Sequence, residues 1–204
     1  ATGRDIILYS RIGMGKSSAI KENRKLSYMH DEAKIYLPQI IKYLNLPEVI
    51  LFGHSDGASI ALIYAGSGFK VKSLILEAPH VFVENISVKG IKLAKKSWNN
   101  SNLKDKLSKY HEDVEGAFNG WCDVWLSKSF KNWNIEDYLK RINVPMQLIQ
   151  GLNDEYGSLK QLDSIEENVS GKTYRHEMED CGHSPHSQYP IDIKNKVKYF
   201  LSNN

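Results

Sequence analysis

The 204-residue sequence predicts an α/β protein: a mostly parallel sheet with flanking helices and one helical insertion. Short, near-continuous apolar runs alternate with stretches of helical period. One such run passes through a glycine-bounded turn straight into a compact apolar helix. Residues 80–143 then break the alternation with polar helical stretches that carry all four tryptophans.

Taken in order, Asp5–Tyr9 (DIILY), Val49–Phe52 (VILF), Ser73–Leu76 (SLIL) and Pro145–Gln150 (PMQLIQ) read as strands buried on both faces. Between the first two, residues 32–44 carry Ile35, Leu37, Ile40, Ile41 and Leu44 at helical spacing, and Ala58–Ala65 (ASIALIYA) forms a compact apolar helix. Thr173–Met178 supplies a fifth, weaker strand, and Ile193–Leu201 a closing amphipathic helix. The insertion holds Trp98, Trp121, Trp125 and Trp133 with Phe82, Phe118, Phe130 and Tyr138. It reads as a cap whose aromatic residues pack onto the sheet and, as a group, line an apolar pocket. The expectation is one domain over 1–204, with core 1–79 and 144–204 and cap 80–143.

Composition narrows the function classes. At 41% hydrophobic and 25% charged residues, the chain suits one globular domain. The net charge of +3 comes from 27 basic and 24 acidic residues spread along the sequence, and the short cluster at Lys89–Lys96 reads as a solvated helix face. That leaves no nucleic-acid footprint. Cys122 and Cys181 lie far apart without CxxC spacing, which argues against a zinc site, demands no disulfide and fits a reducing cytoplasm. No apolar run approaches the roughly 18 residues of a membrane span, and the opening residues lack a signal-peptide layout.

The stretch "LYSRIGMGKSSA", residues 8–19, raises a phosphate-binding reading because it ends Gly-Lys-Ser. That loop needs glycine five residues before Gly15, where Ser10 stands, and a helix directly after, where SAIKENRKLS is polar without period. Only Ser73–Glu77, an apolar strand ending in an acid, speaks for a nucleotide hydrolase.

The chemistry concentrates in "VILFGHSDGASIALIYA". Gly53-His54-Ser55-Asp56-Gly57 joins strand to helix, the context a Gly-x-Ser-x-Gly nucleophile elbow requires. Glycines on both sides are expected to avoid collision with strand and helix, with Ser55 strained and exposed at the helix N-terminus. A serine needs a base and an acid that orients it. Asp154 follows the strand at 145–150 and His183 the strand at 173–178, so Ser55, Asp154 and His183 fall in the expected chain order. His186 stays a rival to His183, and Glu77 an alternative acid.

These residues resemble the α/β-hydrolase superfamily over nearly the whole chain, and Arg11, Gly13, Gly15 and Ser17 match the family's Arg-x-Gly-x-Gly-x-Ser loop. The resemblance implies an α/β-hydrolase sheet and a serine hydrolase cleaving an ester or related acyl bond through an acyl-enzyme. The Asp56 backbone N–H would bind the oxyanion, and no metal or organic cofactor is implied. His54, His80, Trp121 and Trp125 are the expected pocket residues, for a small ester-like substrate. Serine at the elbow argues against dehalogenase and epoxide-hydrolase chemistry and leaves lactone, thioester, carbon–carbon and perhydrolysis reactions open. The family's second oxyanion donor comes from a loop that nothing before Ile6 supplies, so the natural protein is expected to be longer or a divergent short form. The family also places a strand between those at 5–10 and 49–54. Without it the flanking strands would pair directly, a homo-oligomer partner would donate one, or the first strand would leave the sheet, with disorder or oligomerisation around residues 1–30. The alternative function is a non-catalytic or impaired binding protein on this scaffold.

Overall fold

The computed structural model describes residues 2–204; Ala1, the first residue of the expected domain, lies outside them. Four parallel strands stand in the sheet in their chain order: β1 (Ile50–His54), β2 (Ser73–Glu77), β3 (Met146–Gly151) and β4 (Thr173–Met178). The central pair, β2 and β3, is buried at every position, so their sequences show no alternation of apolar and polar residues, and the polar Ser73, Glu77, Gln147 and Gln150 are buried with the rest. β1 and β4 form the more open edges. On β4, Arg175 pairs with Asp163, Glu166 and Glu177, charges that discourage further strand pairing there.

Helix α1 (Tyr28–Asp31) passes through a π-helical turn (Glu32–Tyr36) into α2 (Leu37–Tyr43). Pro38 lacks the N–H that an uninterrupted α-helix would use here, and the wider turn accommodates that loss. Helix α3 (Asp56–Gly66) is apolar on all faces because it packs against β1 and β2 while α1, the π-helical turn and α7 (Glu136–Leu139) cover it. Between β2 and α7 come α4 (Asn85–Asn100), α5 (Leu103–Ser108) and α6 (Val114–Trp125). Their aromatic residues lock together: Trp98 stacks on Phe118 with centroids 4.2 Å apart, and Phe130 lies 5.3 Å from Trp133 and 5.2 Å from Trp125. Helix α8 (Lys160–Asn168) packs on α7, and α9 (Pro185–Gln188) leads into α10 (Pro190–Asn203). A second, smaller core of Ile149, Met178, Cys181 and Ile193 fills the face beneath α10. No helix of the described residues is long and apolar enough to cross a membrane.

The expected strand at Asp5–Tyr9 does not form. The segment runs as irregular backbone outside the sheet, with Ile6 79% and Leu8 91% exposed, so the sheet has four strands and not five. An apolar run acquires strand hydrogen bonds only from a neighbour, and among the described residues β2 is the single partner of β1. Departure of the first strand, one of the three expected arrangements, is the one observed. Tyr9 still ties the segment down, its hydroxyl donating to Glu32 at 2.8 Å.

Backbone amides of β2 and β3 should exchange hydrogen only on global unfolding, whereas those of residues 5–10 should exchange with little protection. Hydrogen-exchange mass spectrometry reads this directly. Equal protection of the two regions would mean that the opening segment is paired in solution.

Candidate active site

Parallel register decides what meets at the site. His54 stands beside Glu77 and Glu77 beside Ile149, while Gly151 stands beside Met178, so the strands end along one edge of the sheet. Ligand crevices of open α/β sheets lie at such carboxyl ends. Ser55, Asp154 and His183 each follow one of these ends.

Ser55 has φ 54° and ψ −121°, a left-handed conformation costing roughly 1–3 kcal/mol for a non-glycine residue. Its N–H continues the ladder by donating to the Glu77 carbonyl at 2.9 Å, while its own carbonyl accepts from Ala58 and Ser59 and starts α3. The two glycines of the turn differ. A Cβ on Gly53 would fall 2.3 Å from the Gly57 carbonyl oxygen, whereas a Cβ on Gly57 would meet open space. The expected collision therefore holds at Gly53 and not at Gly57, because it is the Gly57 backbone that crowds Gly53.

The structure brings the three sequence-derived residues together. His183 Nε2 lies 2.9 Å from Ser55 Oγ, and His183 Nδ1 lies 2.9 Å from both oxygens of Asp154. With Nδ1–H donating to the carboxylate, Nε2 is left to accept from the serine. Asp154 is held by more than the imidazole: the Tyr156 N–H donates at 2.7 Å and Gln150 Nε2 at 2.6 Å. Burial alone would raise its pKa, but the hydrogen bond and charge of His183 and the Tyr156 N–H outweigh that and hold it below the ordinary carboxylate range.

Asp56, the residue after the serine, opens α3, and the first bonds of that helix are made by Ala58 and Ser59, so the Asp56 N–H has no partner within the helix. Its carboxylate turns away into a buried network that composition does not reveal. Tyr28 Oη donates to it at 2.6 Å, Trp125 Nε1 donates to Tyr28 Oη at 3.0 Å, and Arg11 Nη2 stands 3.6 Å away. Arg11 thus has a place in the fold that its motif alone did not specify.

The expected pocket residues scatter. Trp125 is 2% exposed, occupied with Tyr28 and packed inside the helical core, so it forms no open wall. His80, also 2% exposed, lies behind the imidazole, its ring 5.8 Å from that of His183, and burial with the neighbouring His183 pushes it down to about 4. His54 Nε2–H donates to the His183 carbonyl at 2.6 Å, which makes it a support for the loop. Trp121 does line a cavity, of about 300 Å³, together with Met14, His111, Phe118 and Tyr156. A wider cavity of about 550 Å³ opens beside it between Lys89, Leu93, Leu103, Lys106 and Tyr156. Ser55 lines neither, and what both share with the site is Tyr156, whose ring lies 4.8 Å from that of His183. Sequence reasoning missed Tyr156; its place two residues after Asp154 in an Asx-type turn is the signal that could have found it.

The loop at residues 11–17 is not a phosphate cradle. Among the described residues no strand precedes it and no helix follows directly, and four of its N–H groups are already used, Gly13 on Ser18, Met14 on Arg11, Gly15 on His111 Nδ1 and Ser17 on Met14.

Fold and site together define an α/β protein with a parallel sheet and a sharp strand-to-helix turn at Ser55. Residues 1–126 match the sequence profile of the alpha/beta hydrolase fold, and the chain belongs to that family. It is 37% identical to a proline iminopeptidase of Lactiplantibacillus plantarum over 78 residues, 37% of this chain and 26% of that relative, so the match spans about a quarter of the relative's length. Among solved structures it is similar to a serine hydrolase involved in carbazole degradation (TM-score 0.71, 18% identity, 95% of this chain and 77% of the other). It is also similar to a carboxylesterase of the thaumarchaeon Nitrososphaera gargenis (TM-score 0.76, 15% identity, 95% and 78%). At such identities these two likenesses are likenesses of fold.

Gly53→Ala should lower stability by about 1–3 kcal/mol through overpacking. Gly57→Ala should be neutral or stabilising, since glycine within a helix is roughly 0.5–1 kcal/mol less favourable than alanine. Thermal melts of the two variants compare them, and equal losses would contradict the assignment of the crowding to Gly53.

Proposed function

We propose that the protein is a serine hydrolase cleaving a carboxylic ester or related acyl bond through an acyl-enzyme. The observation that carries the reading is the unbroken line from Asp154 through His183 to Ser55 Oγ, with both links at 2.9 Å. Ser55 Oγ attacks the substrate carbonyl carbon while His183 Nε2 takes its proton. The oxyanion so formed faces the Asp56 N–H at the start of α3, where negative charge is favoured. Collapse of the tetrahedral species breaks the bond to the leaving alcohol, which receives the proton from His183. Water then attacks the acyl-enzyme with His183 again as base, releasing the acid and Ser55. Asp154 keeps the imidazole in the tautomer that leaves Nε2 free and stabilises the imidazolium. Neutral His80 and His54 fit beside it, because a second cation there would oppose that charge.

The helical segment of residues 80–143 serves in this reading as a cap, and the cavity walled by Phe118 and Trp121 as the site for an apolar acyl or aryl group. The ester-cleaving names among the structural neighbours agree with it. The same geometry suits amide hydrolysis, and the identity to a proline iminopeptidase makes N-terminal prolyl peptides the first amides to assay. A small cytoplasmic ester is the substrate class proposed.

A fluorophosphonate probe should label Ser55, with the labelled peptide mapped by mass spectrometry and the label absent from Ser55→Ala. His183→Ala and Asp154→Asn should each lower kcat on p-nitrophenyl esters by about 10⁴-fold. Labelling that persists in Ser55→Ala, or a full rate in His183→Ala, would overturn the assignment.

A further inference from the structure

The triad leaves a second carboxyl–imidazole pair unused. Glu77 closes β2, the strand between the one that delivers Ser55 and the one that delivers Asp154, and its carboxyl group is completely buried. His186 Nδ1 lies 2.6 Å from Glu77 Oε2, while Oε1 is buried without a partner. A carboxyl group withdrawn from water is costly unless it is paired, so His186 is the contact that makes this position tolerable.

Its place in the chain gives the contact a second consequence. His186 sits on α9, three residues after His183; before α9 the segment forms no helix or strand, and its backbone is also tied by the Asn153 N–H donating to the Cys181 carbonyl and the Gly182 N–H to Gln188 Oε1. The His186 ring meets His54 edge-on at 4.9 Å, and His54 Nε2–H grips the His183 carbonyl at 2.6 Å. The backbone that carries His183 is thus held from two strand ends, by Glu77 through His186 and by His54 directly. A catalytic imidazole must be kept within about 0.5 Å of its working position, and hydrogen bonds behind it are what achieve that.

We propose that Glu77 and His186, with His54, are positioning residues that hold the His183 loop over Ser55, and that this hold loosens when His186 loses its proton. The inference rests on the serine-hydrolase reading for its effect on turnover, although the hold itself is a property of the loop.

The hydrogen bond to Glu77 raises the pKa of His186 above the ordinary histidine value, against burial, which lowers it. A raised histidine keeps its pair fully below its ordinary pKa and loses it as pH rises through the raised one. His183 has the opposite requirement, since it must be neutral to accept the serine proton. Turnover should therefore decline on the alkaline side as His186 loses its proton. The titratable groups that meet His186 are His54 from β1 and Glu77 from β2, while Asp192 and Lys194 of α10 are exposed. Burial, then the charges of His183 and His186, lower His54, and burial with Glu77 raises the Cys181 thiol.

The test compares wild type with His186→Ala and His186→Asn, the latter placing a non-titrating amide N–H near the Nδ1 position. Kinetics on p-nitrophenyl acetate are measured across pH, and the low-field proton resonance of His183 Nδ1–H is followed by NMR, assigned by its loss in His183→Ala. In His186→Ala, kcat should fall by about 10- to 100-fold with KM within about two-fold, and the His183 resonance should broaden or vanish. His186→Asn should restore the resonance and most of kcat at neutral pH, without the alkaline decline. An unchanged His183 resonance in a folded His186→Ala overturns the proposal whether or not the ester is turned over. An inactive wild type whose His183 resonance nonetheless depends on residue 186 would sink the serine-hydrolase reading and leave the positioning role supported.

Discussion

Because β1, β2, β3 and β4 run parallel and in register, their ends fall on one edge of the sheet, and the character of the site follows from what each strand leaves there. β1 leaves His54 and the strained Ser55, β2 leaves Glu77, β3 leads to Asp154, and β4 leads to His183. Residues 128 positions apart in the chain become hydrogen-bond partners through this alignment alone. The burial of β2 and β3 fixes the register, since a slip of one residue would turn each side chain to the opposite face.

Charge is sorted with equal economy. Two carboxyl groups from neighbouring strand ends each take one imidazole of the segment after β4, Asp154 taking His183 of the loop and Glu77 taking His186 of α9. The other two histidines of the cluster, His54 and His80, are pushed toward the neutral form by burial, so they add packing and hydrogen bonds without adding a cation. The Asp56 carboxylate is held separately, accepting a hydrogen bond from Tyr28 Oη with the Arg11 guanidinium 3.6 Å away.

Much of this is legible in the sequence, for local reasons. Buried strands read as apolar runs, the helix after Ser55 reads from its composition, and Thr173–Met178 coincides with β4 residue for residue. Ser55, Asp154 and His183 can be nominated because each follows a strand that the sequence marks. What is not legible depends on distant partners. Asp5–Tyr9 has the composition of a strand, but strand formation is decided by a neighbour that composition does not describe. The role of Gly57 is misread because glycine looks alike whether its own Cβ or its backbone creates the crowding. Glu77 and His186 are 109 residues apart, so no spacing rule pairs them, and Trp125 looks like a pocket wall until its indole N–H is seen donating to Tyr28.

The account stands on Ser55 being the atom that bonds to substrate. The most direct measurement is intact-protein and peptide mass spectrometry on acid-quenched mixtures with p-nitrophenyl butyrate, in His183→Ala if deacylation in wild type is too fast to trap the intermediate. The account predicts a mass increase of one butyryl group confined to the peptide that contains Ser55 and lost in Ser55→Ala. Butyryl mass on any other residue, or steady ester turnover by Ser55→Ala, would contradict it.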